Sequence, residues 1–254
     1  MLILLLGSSK SSAEELIVAY NYDWAPFSYL NAEGEVEGIL PRLTEILFEQ
    51  AGTSIEIVNV GLPWNRVQQA VLRNQTDAFI TFASEERLQF TQPIGPVFYA
   101  LEQKPVTRLD DSLSVAQLID GLDARYCRMQ GDNWSQEFYR ARSLRAFAAK
   151  DSRACLNLIA TNRGDLFLHP SPIVEIRLRQ MGLEQTLRQS DRTLGDMPFH
   201  LLLSRSSIER FGPSINLISD ALTRLQREGQ WHKMIERTES AEIQRCFEEN
   251  KDRC

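Results

Sequence analysis

Lysine and histidine are scarce in this 254-residue chain: the 28 basic residues include five lysines, and there are three histidines. His169, His200 and His232 share no spacing that would bring two of them to one metal ion. The cysteines Cys127, Cys155, Cys246 and Cys254 form no Cys-x-x-Cys pair, which removes the common zinc and dithiol redox motifs. Gly-x-Gly-x-x-Gly, Gly-x-x-x-x-Gly-Lys, Gly-x-Ser-x-Gly and His-Glu-x-x-His are all missing. Dinucleotide, P-loop, hydrolase-elbow and zinc-protease chemistry therefore have no local support. The longest apolar run is Met1–Leu6, far below the ~20 residues of a bilayer-spanning helix. A net charge of −6 and a pI near 5.3 argue against a nucleic-acid partner, because phosphate binding needs a basic surface. The expectation is a chain with no cofactor, no metal, no catalytic cluster and no membrane span.

With 43% hydrophobic and 24% charged residues, the composition is that of a globular protein. At roughly 150 residues per domain, the length suits one large domain or two lobes. Charge is unevenly placed. Between Glu102 and Asp191 basic residues slightly outnumber acidic ones, whereas the rest of the chain is clearly acidic, a split that suggests two structural units. Residues Met1–Leu6, followed by Ser11-Ser12-Ala13, read as the remnant of a secretory signal with cleavage after Ala13, lacking the usual positive start. Four cysteines allow three pairings. In an exported protein Cys127–Cys155 and Cys246–Cys254 are the local ones, and free thiols are the other reading.

Leu16–Tyr20 reads as a strand, Ile39–Ala51 as a helix stopped by Gly52, and Ser54–Asn59 as a strand. Pro63–Arg73 reads as an amphipathic helix with Pro in its first turn, and Asp77–Phe82 as a buried strand. Strand alternating with helix is the mark of a parallel sheet with crossover helices. A second series follows: helix Val115–Ile119, strand Arg125–Met129, helices Ser135–Ala149 and Ser152–Thr161, strand Asp165–His169 and helix Pro172–Met181. The chain then closes with strand Phe199–Ser204 and helices Ile215–Arg227 and Trp231–Arg237. Near the strand ends stand Trp24, Trp64 and Arg87. Aromatics there offer stacking surfaces and an arginine a bidentate clamp, at the strand ends where open α/β sheets bind ligands; buried core tryptophans and a solvated arginine are the plainer reading.

Several segments together resemble one family. They are Trp24-Ala25-Pro26-Phe27-Ser28-Tyr29, Gly34–Gly38, Pro63-Trp64-Asn65-Arg66, Asp77-Ala78-Phe79, Ser84-Glu85-Glu86-Arg87 and Phe90-Thr91-Gln92-Pro93. Arg163-Gly164-Asp165 and Leu225–Trp231 complete the set. In order and spacing this is similar to bacterial extracellular solute-binding proteins of family 3, over about Glu15 to Arg237. The resemblance implies a two-lobed, type II periplasmic binding protein-like α/β fold whose parallel-sheet lobes are joined by two crossing hinge strands, near Tyr99–Gln103 and Leu194–Phe199. The implied division is residues 14–101 with 196–237 as lobe 1, 102–195 as an inserted lobe 2, 1–13 as a truncated signal and 238–254 as a C-terminal extension.

The resemblance also implies a ligand-binding set: Asn21, Trp24, Trp64, Thr81, Phe82 and Arg87 from the first lobe, and Gln130, Asp132, Asn133, Trp134 and His169 from the second. Trp24 and Trp64 would stack on the solute and Arg87 would clamp a carboxylate. One departure stands out. The acidic residue that family members place after the position of His169 is Pro170 here, so an ammonium group would need another anion such as Asp132.

The implied function is capture of a small polar or zwitterionic, amino acid-like solute, with hinge closure and delivery to an ABC permease, by a monomeric periplasmic protein that is not an enzyme. Two alternatives stand beside it. One is a cyclohexadienyl dehydratase-like enzyme on the same fold, with His169 or His200 as the base. The other is a sensing module for a separate signalling chain.

Overall fold

The computed structural model describes residues 14–110, 114–120 and 124–248. The expected signal remnant, residues 1–13, and Cys254 lie outside them.

Strand β1 (Glu14–Asn21) opens the chain, and three short strands, β2 (Asp23–Trp24), β3 (Ser28–Leu30) and β4 (Val36–Glu37), form a small separate sheet after it. Helix α1 (Ile39–Ala51) ends where Gly52 takes the left-handed conformation, φ 63°, at the predicted stop. Strand β5 (Ile55–Leu62), helix α2 (Trp64–Leu72) and strand β6 (Ala78–Phe82) follow. Next come the short helix α3 (Glu85–Leu88), strand β7 (Thr91–Pro93) and the long strand β8 (Tyr99–Arg108).

The second series consists of α4 (Val115–Asp120), β9 (Tyr126–Met129), α5 (Asn133–Ala141), β10 (Ala146–Ala149), α6 (Ser152–Ala160), β11 (Leu166–Pro170), α7 (Ser171–Met181) and β12 (Leu187–Gln189). Strand β13 (Gly195–Ser204) returns the chain to the first series. Helices α8 (Arg205–Phe211), α9 (Pro213–Arg227) and α10 (Gln230–Glu248) complete it.

One sheet runs through the molecule in the order β10-β9-β11-β8-β13-β6-β1-β5. Its outer portions are parallel: β1 with β5 and β6 on one side, and β9 with β10 and β11 on the other. The middle is antiparallel. There β8 and β13 pair from Tyr99↔Phe199 to Gln103↔Gly195, and each continues into the opposite half. The chain crosses between the halves on these two strands.

Strand β11 shows why Leu166–Leu168 is apolar at every position. Phe167 packs on one face with Cys127, Leu156 and Ile159, while Leu166 and Leu168 pack on the other with Tyr126, Phe138 and Tyr139. The first half buries Leu16, Val18 and Ile80 under Leu43, Leu47, Ile218 and Leu222 of helices α1 and α9. Trp231 of α10 is anchored there by its indole N–H, which donates to Phe98 O at 2.7 Å.

Two expectations are corrected. The helix Ser135–Ala149 stops at Ala141, and Ala146–Ala149 is instead an edge strand paired in parallel with Tyr126–Met129. Ser143, in the left-handed region at φ 56°, turns the chain out of the helix, and the ladder to β9 overrides the helical preference of three alanines. The last helix does not stop at Arg237 but runs on to Glu248, where it meets α7: Ile176 packs with Ala25, Tyr29 and Cys246.

Cys127 and Cys155 form a disulfide between β9 and α6, fully buried, closing a separation of 28 residues. Cys246 is also disulfide-bonded. Closing a loop of that length contributes about 3–4 kcal/mol by restricting the unfolded chain. The double variant Cys127→Ala/Cys155→Ala should lose about that amount in a denaturant titration, and an unchanged midpoint would contradict the assignment.

Candidate ligand-binding site

A cavity of about 380 Å³ lies where the two halves of the sheet meet, a volume within the range of small-molecule sites. All eleven residues named from the sequence line it: Asn21, Trp24, Trp64, Thr81, Phe82, Arg87, Gln130, Asp132, Asn133, Trp134 and His169. The ends of β1 and β6, strand β2, the start of α2, helix α3, the loop from β9 into the first turn of α5 and the end of β11 bring them together.

Arg87 is the most constrained of them. It is 1% exposed. Its Nε donates to Gln68 Oε1 at 3.2 Å, and Nη1 donates to Thr81 Oγ1 at 3.1 Å and Phe82 O at 2.8 Å. Nη2 crosses the cleft to donate to Gly131 O at 3.1 Å. Four of the five guanidinium N–H groups are thus spent on protein. Burial lowers its pKa to about 10, against the opposing pull of Asp132, Glu86 and Glu137, so it stays charged at neutral pH. A bidentate grip on a carboxylate would require Arg87 to release one of these acceptors.

Trp64 closes the same contact. Arg87 lies 5.3 Å from the centre of its ring, and the loop at Gly131 rests against its edge. A Cβ at Gly131 would sit 2.8 Å from Trp64 Nε1, and the φ of +75° is one that only glycine adopts freely. Trp24 packs against Phe27 and Phe199 with ring centres 4.8 and 5.6 Å away.

The second half supplies further cross-contacts. Asn133 Nδ2 donates to Ser84 Oγ at 3.0 Å and to Glu86 Oε2 at 3.3 Å. Trp134 donates its indole N–H to Asp196 O on β13 at 3.0 Å and stacks on Phe138, so its donor is committed to the crossing strands. Asp132 caps α5, accepting from Ser135 N and Ser135 Oγ; burial raises its pKa despite those bonds and the nearby Arg87 and Arg128. Gln130 anchors the loop by donating its backbone N–H to Ala149 O at 2.8 Å. Asn21 Oδ1 accepts from Asp23 N, shaping the turn that carries Trp24.

Two features escaped the sequence reading. Arg177 on α7 donates to Asp23 Oδ1 at 2.8 Å and to Asp23 O, a charged tie between the halves. Burial lowers the Arg177 pKa, with Asp23 opposing. Gln103 on β8 lines the cavity at 1% exposure. A polar residue two positions after the buried Leu101 and four after Tyr99 was the available signal, since alternate strand residues share a face.

Parallel-sheet halves joined through an antiparallel strand pair, with a cavity at the junction, make the type II periplasmic binding protein-like fold. The chain belongs to the bacterial extracellular solute-binding proteins, family 3, whose sequence profile matches residues 16–238. Among solved structures it is similar to a histidine kinase sensor domain with similarity to periplasmic binding proteins, at TM-score 0.67 and 16% identity over 88% of this chain and 95% of that one. A binding component of an ABC transporter from Wolinella succinogenes, complexed with lysine, matches at 0.66 and 17% over 88% and 95%. An ancestral amino acid-binding protein, a precursor of cyclohexadienyl dehydratase, matches at 0.65 and 15% over 88% and 94%. No curated protein sequence matches the chain significantly. Among the described residues no helix is long and apolar enough to cross a membrane.

His169, 3% exposed and stacked on Phe167, generates a test. Burial first, and Arg177 second, lower its pKa from 6.5 to about 3, so the folded protein holds it neutral. An unfolded chain takes up that proton as pH falls below 6.5, and the folded one does so only near 3. The stability this neutral imidazole permits is complete above 6.5 and is lost toward pH 3, at about 1.4 kcal/mol per pH unit. His169→Gln should flatten the acid side of the stability profile by that slope, measured by denaturation between about pH 6 and 4; parallel profiles would contradict it.

Proposed function

We propose that the protein is a periplasmic receptor that captures a small polar solute of amino acid dimensions and delivers it to an ABC permease. Residues 14–101 with 196–237 act as one lobe and 102–195 as the other, hinged on β8 and β13. The observation that carries this reading is the cavity at the strand crossing, bridged by bonds from both halves: Arg87 to Gly131 O, Asn133 to Ser84 and Arg177 to Asp23. Hinge closure around a ligand would assemble these same contacts. The eleven residues named above supply its walls, with Trp24 and Trp64 as apolar faces. The receptor acts as a monomer, with no cofactor.

Binding without turnover is favoured over a dehydratase activity. A general base works best with a pKa near the operating pH, and His169 at about 3 is far below it. A sensing role for a separate signalling chain is the second reading. It is favoured by the likeness to a histidine kinase sensor domain, and it uses the same cavity and the same closure.

A ligand present at a hundred times its Kd stabilises a protein by about 2.7 kcal/mol, which for this chain length is roughly 5–10 °C in melting temperature. Screening amino acids, peptides, amines and organic acids should give such a shift for at least one class, with a change in tryptophan emission. A complete absence of shifts across that panel would contradict the proposal.

A further inference from the structure

The donors and acceptors that line the cavity are unequally spent. Trp24 Nε1, Gln103 Nε2 and His169 Nε2 are buried with no hydrogen-bond partner among the described residues. Trp24 Nε1 and Gln103 Nε2 are donors with no capacity to accept. His169 Nε2, on a neutral imidazole, donates or accepts according to tautomer, whereas the carboxylates of the lining are already engaged. Asp23 holds Arg177, Asp132 holds both the backbone and the hydroxyl of Ser135, and Asp151 holds the backbone N–H of Ala154. The lining carries these three carboxylates against four cationic side chains. Pro170, at the end of β11, adds no polar side chain.

A protonated amine placed here would meet surplus positive charge and carboxylates already engaged, and an unpaired buried charge costs several kcal/mol. An acceptor placed here would satisfy donors whose burial without a partner is itself costly. Resting on the solute-binding reading above, we propose that the cavity takes a carboxylic acid that presents further hydrogen-bond acceptors and no protonated amine: an oxo, hydroxy or N-acylated acid. Its carbonyl, hydroxyl or carboxylate oxygens pair with Gln103 Nε2 and Trp24 Nε1, and Arg87 supplies the compensating charge.

The test compares matched pairs on the unmodified full chain by calorimetry or melting shift: lactate with alanine, 2-oxoglutarate with glutamate, N-acetylglutamine with glutamine, and glycine betaine as a quaternary amine. The expected result is that the amine-free member of at least one pair binds tenfold or more tightly than its partner. Gln103→Leu should then weaken that ligand about tenfold while leaving the ligand-free melting temperature unchanged or higher, because the variant removes an unpaired buried donor. A purely structural glutamine would show the reverse. Equal or tighter binding of the amine-bearing member or of betaine overturns the inference and leaves solute binding standing. Failure of every pair overturns the inference, and if no member of the wider panel binds either, solute binding falls with it.

Discussion

The buried guanidinium of Arg87 is the interaction on which the rest of the site depends. A charge at 1% exposure is stable only if its N–H groups are satisfied, and the fold meets that demand with groups from α2, β6 and the opposite half. Thr81 and Phe82 hold it from the end of β6, and Gln68 holds it from α2. Gly131 O completes the set only when the loop before α5 lies against Trp64. The requirement to satisfy one cation therefore couples the position of the second half to the first. The glycine is required for the same reason, since a side chain at that position would meet the indole.

A second coupling lies on the far side of the cavity. Helix α7 follows β11 of the second parallel portion of the sheet, yet Ile173 packs into the core beneath β1 and β6 and Ile176 packs against Ala25, Tyr29 and Cys246. Arg177, next to it, reaches Asp23. The length of α10 makes part of this contact, because Cys246 lies beyond Arg237, the end predicted from sequence. Glu242 on the same stretch accepts from the buried Tyr29 hydroxyl and is flanked by Arg245, which also pairs with Glu37. The extension of α10 is thus part of the interface between halves.

What the sequence disclosed follows from how local each signal is. Strands buried on both faces, such as Asp77–Phe82 and Asp165–His169, declare themselves by the short apolar runs Ala78–Ile80 and Leu166–Leu168. Helices α1 and α2 do so by apolar spacing, with Gly52 as a stop and Pro63 as a start. Strand β10 was hidden because Ala146–Ala149 carries helical propensity, and only its pairing with β9 makes it a strand. The tie between Arg177 and Asp23 spans 154 positions, and no local pattern announces such a contact. Gln103 was legible in principle as a polar residue on a buried strand face. Its importance came from the cavity, where its amide has no partner. The residues carried over from family likeness all line that cavity, whereas the spending of Arg87's donors on Gly131 and its neighbours depends on atomic geometry that no residue pattern encodes.

The central claim is that the two halves close over a solute and are held by Arg87 across the cleft. Small-angle X-ray scattering with and without a binding solute, on the unmodified protein and on Arg87→Met, tests it most directly. The expected result is a smaller radius of gyration with solute for the unmodified chain, and loss of that contraction in Arg87→Met. Equal dimensions with and without a solute that demonstrably binds would contradict it.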